Sequence, residues 1–203
     1  MEADTELEVE FEDIIGELDF DPVKLKEKYR FERDKRVRQE GNDQYIEVTA
    51  EFSKYVDDPY VEPGFTREPL FDEVEVIIIG GGFGGLLAGA RFREIGIESI
   101  RVIEKAGDFG GTWYWNRYPG AMCDVESYCY MPLLEELGYV PKHKYSFAPE
   151  ILEHSRNIGR HFNLYEQACF QTSVEEMKWD ESDQRWIITT DRGDRMKAKY
   201  VAM

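Results

Sequence analysis

Cysteine and histidine are scarce in this chain of 203 residues, which has three of each. The cysteines form no CxxC pair, and their odd number leaves at least one thiol unpaired, so we expect reduced cysteines in a reducing compartment. The histidines lack the spacing of metal ligands, and His154 and His161 are expected on the surface of a helix. No metal site is therefore predicted.

Basic residues and long apolar runs are also in short supply. Lysine and arginine number 25 against 42 aspartates and glutamates, and the net charge of -17 would repel a nucleic-acid backbone. The strongest apolar run, Val76 to Ile79, is far shorter than the roughly 18–20 residues of a membrane helix. The N-terminus has neither the basic nor the apolar part of a secretory signal. These absences predict a cytoplasmic protein that binds neither nucleic acid nor a membrane.

The first part of the chain differs in character from the rest. Residues 1–20 are acidic and contain no lysine or arginine, which predicts a solvated tail. An Asp-Pro pair then marks a helix start, and the charged residues 23–38 predict an exposed helix with pairs such as Glu32–Arg36. An anion site or a docking helix is the alternative. Turns marked by proline indicate a connecting arm over residues 44–71, so residues 21–71 are predicted to form a helical N-terminal extension with that arm.

From residue 72 the pattern is that of an α/β domain. Apolar residues predict a strand over 74–79, a helix over 86–95 and a second strand over 100–103, which together make one βαβ unit. A long irregular stretch, a helix and three strands are predicted after it, over 106–144, 149–163, 171–179, 185–190 and 197–203. The predicted fold is a Rossmann-like domain, with a central parallel sheet and added strands, over residues 72–203. We expect this domain to be incomplete, because the chain stops inside its last strand.

The first motif is the glycine run at 80–85, which satisfies GxGxxG. It follows a strand and opens a helix, and Glu104 closes the next strand nineteen positions after Gly85, close to the ~20 of a dinucleotide-binding fingerprint. Gly80 permits the tight turn, Gly82 lets the main chain approach a pyrophosphate at the helix N-terminus, and Gly85 lets helix and strand pack. Glu104 can accept hydrogen bonds from ribose and would repel a 2′-phosphate, which predicts FAD or NAD at this site.

The second motif reads GGTWYWNRYPG over residues 110–120 and is followed by Cys123 and Asp124. Three consecutive aromatic side chains on a loop point in different directions, so they cannot all be buried as core. We expect some of them to face a flat ligand. A loop cap that bonds main-chain amides is the alternative interpretation of Asp124, and a packed thiol is the simplest interpretation of Cys123.

These motifs resemble those of the flavin-dependent Baeyer–Villiger monooxygenases, within the flavoproteins that have two dinucleotide sites. The resemblance runs from about Val74 to Met203, and GGTWYWNRYPG followed by CDVES is its most specific part. The segment DPVKLKEKYRFERDKR also looks like the N-terminal extension of one subgroup. The resemblance implies an NADPH- and O2-dependent enzyme that inserts oxygen next to a ketone carbonyl through a C4a-peroxyflavin.

The resemblance also implies which residues contact FAD. The cofactor would lie across Gly80, Gly82, Phe83 and Gly85, with its adenosine ribose on Glu104. Further contacts would come from the tryptophan-rich loop and from residues after it, namely Gly111, Thr112, Trp113, Tyr114, Trp115, Asp124, Tyr130 and the main chain of Val174.

A second set would border the nicotinamide of NADPH, and it consists of Met122, Cys123 and Asp124. In the family, Asp124 would be catalytic, because it orients an arginine from the second dinucleotide domain that stabilises the flavin peroxide. Met122 departs from the arginine that many members carry at this position, which argues against a direct phosphate or amide contact from it.

Several family features are missing from the sequence. It contains neither the fingerprint FxGxxxHxxxW, nor a second GxGxxG for NADPH, nor the arginine that Asp124 would orient. We therefore expect half an active site, inactive alone, that is completed by the missing remainder of the chain or by a separate C-terminal chain. The alternatives are an N- or S-oxygenating flavin monooxygenase and a non-catalytic FAD-binding half.

Overall fold

The computed structural model describes residues 19–45 and 50–203. The chain divides into two compact units, with the boundary between Val56 and Asp57. Residues 1–18 of the predicted acidic tail, which spans residues 1–20, lie outside the described residues. The three-part division of the chain that was drawn from the sequence stays a prediction.

The first unit contains the charged helix, α1, over Pro22–Asp34. Asp21 caps its N-terminus, because the carboxylate accepts hydrogen bonds from the main-chain N–H groups of Val23 (2.9 Å) and Lys24 (3.1 Å). No residue of α1 is buried, so the prediction of an exposed helix is confirmed. Two 3-10 helices follow, over Gly41–Gln44 and Ala50–Tyr55.

The C-terminal end of α1 differs from the prediction. The helix ends at Asp34, four residues before the predicted end. The predicted ion pair between Glu32 and Arg36 is wrong, because Lys35 Nζ donates to the Glu32 carboxylate at 2.7 Å, whereas Arg36 Nε donates to the Glu32 main-chain oxygen at 3.2 Å. The last carbonyl groups of a helix lack backbone partners, so a nearby basic side chain finds an acceptor there.

The second unit is an α/β domain with one six-stranded sheet. Its strands are β1 Glu73–Ile79, β2 Ile100–Ile103, β3 Ala168–Cys169, β4 Val174–Asp180, β5 Arg185–Thr190 and β6 Arg195–Ala202. Its helices are α2 Phe83–Glu94, α3 Thr112–Trp115, α4 Ser127–Tyr130, α5 Leu134–Leu137 and α6 Ala148–His161, with a 3-10 helix over Tyr165–Gln167. The strand order is β3-β2-β1-β6-β5-β4. Pairing is parallel from β3 to β6 and antiparallel from β6 to β4, so the predicted Rossmann-like fold with added strands is confirmed.

Strand β1 is covered on both faces, which explains its continuous apolar run. Ile77 pairs with Arg101 of β2 and with Val201 of β6, so β1 is an interior strand. Ile78 belongs to the apolar cluster that includes Leu86 of α2, while Ile77 belongs to the other main cluster of the sheet. Each fully buried isoleucine contributes roughly 1.5–3 kcal/mol through removal of its surface from water. A doubly covered parallel strand requires such residues at successive positions.

Several element boundaries differ from the predicted ones. Helix α2 begins at Phe83, three residues before its predicted start, and α6 ends at His161 because Asn163 adopts a left-handed φ of 52°. The strand predicted from Gln171 begins at Val174, because Gln171 also adopts a left-handed φ, of 51°. The stretch predicted to be irregular contains the three one-turn helices α3, α4 and α5.

His154 corrects the sequence prediction most clearly. Its side chain is 1% exposed rather than on the surface of the helix, whereas His161 is exposed as predicted. Nε2 lies 2.6 Å from the carbonyl oxygen of Pro132, and since a carbonyl only accepts, Nε2 is the donor. Burial lowers the pKa of His154, so the ring is neutral and packs beside Tyr139 at a centroid distance of 5.4 Å.

No helix in the described ranges 19–45 and 50–203 is long and apolar enough to cross a membrane. The same ranges contain no group of three or more histidine, cysteine, aspartate or glutamate side chains placed to hold a metal ion.

Candidate functional site

The glycine turn joins β1 to α2 with no room for larger residues at its key position. Gly80 adopts a φ of 100°, and its N–H donates to the carbonyl of Ile103 at 2.8 Å. A Cβ atom on Gly85 would lie 1.9 Å from the carbonyl oxygen of Gly80, so only glycine allows α2 to start this close to β1. The turn and packing roles expected of Gly80 and Gly85 are therefore seen in the structure.

The opposite side of the same turn is open. A Cβ atom on Gly80 or Gly84 would meet nothing within 4 Å. Gly82 is the N-cap residue of α2, and its carbonyl accepts the N–H of Leu86 at 2.9 Å. The preceding N–H groups have no partner inside the helix, and the helix dipole adds positive partial charge there. This end of α2 can therefore hold an anionic group such as a pyrophosphate.

Glu104 follows β2 and is 7% exposed. Its carboxylate accepts hydrogen bonds from the main-chain N–H of Gly81 and, at 2.6 Å, from that of Ala106. No basic side chain of the described residues pairs with it. A carboxylate has about four acceptor sites, so Glu104 retains capacity for the hydroxyl groups of a ribose.

The second motif directly contacts the glycine turn. The N–H of Gly110 donates to the carbonyl of Gly81 at 3.0 Å. Gly111 has a φ of 52°, and a Cβ atom on it would lie 2.8 Å from the Cα of Gly82. Two glycine-rich segments that are separate in the sequence thus pack backbone against backbone. The structure brings the predicted pyrophosphate turn and the start of the tryptophan-rich loop into one place.

The three consecutive aromatic residues of this loop divide between core and surface. They lie on the one-turn helix α3, where Trp113 and Tyr114 are 7% and 2% exposed and Trp115 is 37% exposed. Trp113 Nε1 donates to the hydroxyl of Tyr130 at 3.0 Å, and the Tyr130 ring lies 5.7 Å from that of Phe83 at the start of α2. The prediction that not all three rings are buried is confirmed, and Phe83, Trp113 and Tyr130 form an aromatic cluster beside the glycine turn.

The residues predicted to border NADPH lie on a short extended segment. Met122 is 43% exposed and pairs with Phe147 in an antiparallel bridge. Cys123 is 2% exposed and packs in the same apolar cluster as Trp113, as expected of a packed thiol. Asp124 is exposed, and no hydrogen bond to its carboxylate is found among the described residues, so the structure does not support the alternative of a loop cap.

Val174 begins β4, next to a segment that runs alongside the end of β2. Two residues earlier, the N–H of Thr172 donates to the carbonyl of Glu104 at 3.0 Å, and the N–H of Gln171 donates to that of Ala106 at 3.0 Å. Val174 therefore follows, within three residues, a segment that is hydrogen-bonded to the main chain at Glu104 and Ala106. Four of the predicted site residues are exposed and form no hydrogen bond with the glycine turn, namely Thr112, Trp115, Met122 and Asp124.

Two residues of the connecting arm, neither of them predicted from the sequence, reach the tryptophan-rich loop. Asp58 accepts a hydrogen bond from the Tyr114 hydroxyl at 2.7 Å, and the Tyr60 hydroxyl donates to the Trp115 carbonyl at 3.4 Å. Burial and then the bond to Asp58 raise the pKa of Tyr114, so its hydroxyl stays protonated as a donor. The sequence contains no local signal for these contacts, because Asp58 precedes a proline and reads as a turn residue.

Comparison with known proteins agrees with this arrangement. The sequence pattern of an NAD(P)-binding Rossmann-like domain matches residues 78–137. Neopentalenolactone D synthase from Streptomyces avermitilis is 55% identical over 180 residues, and Baeyer–Villiger monooxygenase ATR8 from Stachybotrys chlorohalonatus is 49% identical over 186. These alignments cover 88% and 91% of this chain and 30% of each relative.

Solved structures of monooxygenases are also similar to this chain. A polycyclic ketone monooxygenase from Thermothelomyces thermophila superposes with a TM-score of 0.76 at 39% identity, over 88% of this chain and 31% of that one. A steroid monooxygenase bound to NADP superposes with a TM-score of 0.59 at 41% identity, over 64% of this chain and 25% of that one. This chain spans about 30% of the length of the curated relatives that it matches. By sequence and by fold, about nine-tenths of this chain is therefore similar to part of the Baeyer–Villiger monooxygenases.

Proposed function

We propose that this chain is the FAD-binding portion of an NADPH- and O2-dependent Baeyer–Villiger monooxygenase, which inserts an oxygen atom next to the carbonyl group of a ketone. The observation that carries the proposal is the hydrogen bond from Gly110 to Gly81. It joins the glycine turn, which suits a pyrophosphate, to the aromatic loop, which suits a flat ring. A dinucleotide with an aromatic ring system requires both parts at one site.

The residues present fit FAD. Its pyrophosphate would be held at the start of α2, where the space beside Gly80 and Gly84 is open. Glu104 would accept the hydroxyl groups of the adenosine ribose, and the main chain of Val174 would meet the adenine. The ring system would be lined by the residues of the second motif and the cluster beside it, Gly111, Thr112, Trp113, Tyr114, Trp115 and Tyr130.

The chain's own residues would bind and orient the cofactor and would exclude water from it. When bound, FAD supplies the electron transfer and oxygen activation that protein side chains lack. The apolar cluster of Phe83, Trp113 and Tyr130 would keep water away from one side of the site. The exposed carboxylate of Asp124 has no partner within the described part of this chain, so it is free to orient a cationic group that the rest of the enzyme provides. Met122 and Cys123, beside it, would border the nicotinamide of NADPH.

The proposal is tested first on the purified chain. Titration with FAD, followed by quenching of flavin and tryptophan fluorescence, should reveal saturable binding, and the protein should become yellow. NADPH and O2 with a ketone should yield no product from this chain alone, because the chain spans about 30% of its relatives' length. Absence of flavin binding by the folded chain would contradict the proposal.

The reaction itself is tested on a polypeptide that contains this sequence and is as long as the relatives. Incubation with NADPH, O2 and a ketone should give the ester or lactone, whereas a thioether or amine offered alone separates this activity from S- or N-oxygenation. Substitution of Asp124 by alanine should remove ester formation with FAD still bound, because Asp124 is proposed to act on a group outside this chain.

A further inference from the structure

Asp58 belongs to the part of the connecting arm that lies in the second unit, and its carboxylate joins three segments of that unit. Oδ1 accepts the main-chain N–H of Tyr60 at 2.9 Å. Oδ2 accepts the main-chain N–H of Gly107, just after β2, at 3.0 Å and the hydroxyl of Tyr114 on α3 at 2.7 Å. The arm, the end of β2 and the tryptophan-rich loop are therefore tied to a single side chain. Hydrogen bonds to an ionised acceptor are roughly twice as strong as neutral ones.

A second set of contacts holds the same loop from the arm. The guanidinium carbon of Arg117 lies 3.7 Å from the ring centroid of Tyr60 and 4.5 Å from that of Tyr114. Arg117 Nε also donates to the main-chain oxygen of Tyr114 at 2.8 Å, and the two tyrosine rings meet edge to face at 5.6 Å. The cation thus bridges an arm residue and a loop residue, and the tyrosine hydroxyl of the arm reaches the carbonyl of Trp115.

The arm and the tyrosine also pack closely around Gly107. A Cβ atom on Gly107 would lie 2.1 Å from Cγ1 of Val61 and 2.7 Å from the hydroxyl oxygen of Tyr114. The Tyr114 side chain itself is 2% exposed. The arm, the segment after β2 and the tyrosine therefore pack closely together, and the Tyr114 hydroxyl also accepts the main-chain N–H of Gly107 at 3.1 Å.

Helix α3 needs such an external support. It has four residues, and a single helical turn is unstable alone because nucleation fixes several dihedral angles for one hydrogen bond. Tyr114, the third residue of α3, is hydrogen-bonded to Asp58. Its neighbour Trp113 is hydrogen-bonded to Tyr130, next to the glycine turn. A displacement of Tyr114 would therefore move the aromatic residues on either side of it.

We infer that Asp58 is a positioning residue of the flavin site: from the arm, it fixes the tryptophan-rich loop in the place where the isoalloxazine ring is to rest. The inference depends on the proposed function, because it assumes that this loop lines the flavin. Asp58 acts through Tyr114, and none of its hydrogen bonds among the described residues goes to the glycine turn. It should therefore influence the ring end of FAD and leave the adenosine end, held by Glu104 and the start of α2, unaffected.

Comparison of two ligands tests this directly. Asp58→Asn keeps the shape of the side chain but replaces one acceptor oxygen by a donor group, which cannot satisfy all three N–H and O–H groups. The affinity for FAD should fall about tenfold, whereas the affinity for ADP, which lacks the ring system, should stay within about twofold. Asp57→Asn is the matched control, because Asp57 is exposed, has no hydrogen-bond partner among the described residues and loses the same charge.

Tyr114→Phe supplies a second variant that keeps the ring and removes only the hydroxyl group. The FAD losses of Asp58→Asn and Tyr114→Phe should not add in the double variant, because each breaks the same hydrogen bond. Urea unfolding of every variant checks that the chain is folded at the concentrations used. The absorption spectrum of bound FAD should also change in both variants and stay that of the wild type in Asp57→Asn.

The outcomes separate the two proposals. If the wild-type chain binds FAD and Asp58→Asn binds it equally well, the positioning role is wrong and the proposed function stands. Equal losses for FAD and ADP would overturn the positioning role too, since they indicate general destabilisation. If the folded wild-type chain binds ADP but no flavin, the proposed function fails, and the role of Asp58 fails with it.

Discussion

Arg67 and Asp194 form two parallel hydrogen bonds of 2.6 Å across 127 positions of the sequence. The Asp194 side chain is fully buried, and it also accepts the hydroxyl of Thr190 at 2.5 Å and the main-chain N–H of Leu70 at 2.7 Å. The guanidinium of Arg67 also donates to the hydroxyl of Thr172 at 3.2 Å, and the main-chain N–H of Thr172 donates to the main-chain carbonyl of Glu104. A planar fork is suited to this geometry, which a lysine could not reproduce.

Loss of this pair should strongly destabilise the second unit. Arg67→Gln would leave the buried Asp194 carboxylate without its cation, and breaking a buried pair from one side costs about 3–5 kcal/mol. The free energy of unfolding, measured in urea, should fall by that order. Arg195→Gln is the control, because the side chain of Arg195 is exposed and makes no ion pair among the described residues, and its effect should stay within about 0.5 kcal/mol. A similar loss in both variants would contradict this account.

The same pair predicts how stability depends on pH. Burial opposes ionisation of Asp194, but the bonds from Arg67 and Thr190 outweigh it and lower the pKa to about 2, from 3.8. A carboxyl group with a lowered pKa in the folded state stabilises the fold above its unfolded value and loses that contribution as the pH falls from about 4 to about 2. The contribution is on the order of 2 kcal/mol. Urea unfolding between pH 2 and 5 should reveal this loss in the wild type and a weaker pH dependence in Asp194→Asn, in which position 194 no longer titrates.

The glycine turn permits a test with two neighbouring substitutions. Gly85→Ala would place a methyl group 1.9 Å from a backbone oxygen, so α2 must shift, and overpacking of this kind costs about 1–3 kcal/mol. Gly84→Ala would meet nothing within 4 Å and adds a better helix former, so it should leave stability equal or raise it by up to about 1 kcal/mol. Thermal unfolding without ligand distinguishes them, and a Gly85→Ala chain as stable as Gly84→Ala would be inconsistent with the close helix-to-strand contact.

The central part of the fold could be predicted because its signals are local. The apolar run of β1, the glycines after it and Glu104 lie within about thirty residues, and each has a stereochemical reason for its spacing. His154 was mispredicted although the sequence contained a signal, since it follows Ile151 by three and precedes Ile158 by four on the buried face of α6. The helical period should have outweighed the polarity of the ring.

The contacts of Asp58 and Arg67 could not have been predicted in this way. Asp58 bonds to partners 49 and 56 positions later, and Arg67 bonds to partners 105 and 127 positions later. The Asp-Asp-Pro sequence at position 57 has a sufficient local explanation as a turn, and nothing in the spacing indicates which distant residues it meets. Such contacts depend on how the connecting arm lies on the folded domain, which is decided by the tertiary structure.

Glu104 should act on the opposite end of the cofactor from Asp58. Glu104→Gln removes the charge and one acceptor oxygen while its two main-chain partners, Gly81 and Ala106, remain. The affinity for FAD and for ADP should fall together, by about tenfold, because both contain the adenosine ribose, whereas FMN, which lacks it, should bind as to the wild type. Isothermal titration with the three ligands measures this, with Glu181→Gln, an exposed turn residue, as the control. A loss confined to FMN, or one shared by all three ligands, would mean that Glu104 does not hold the ribose.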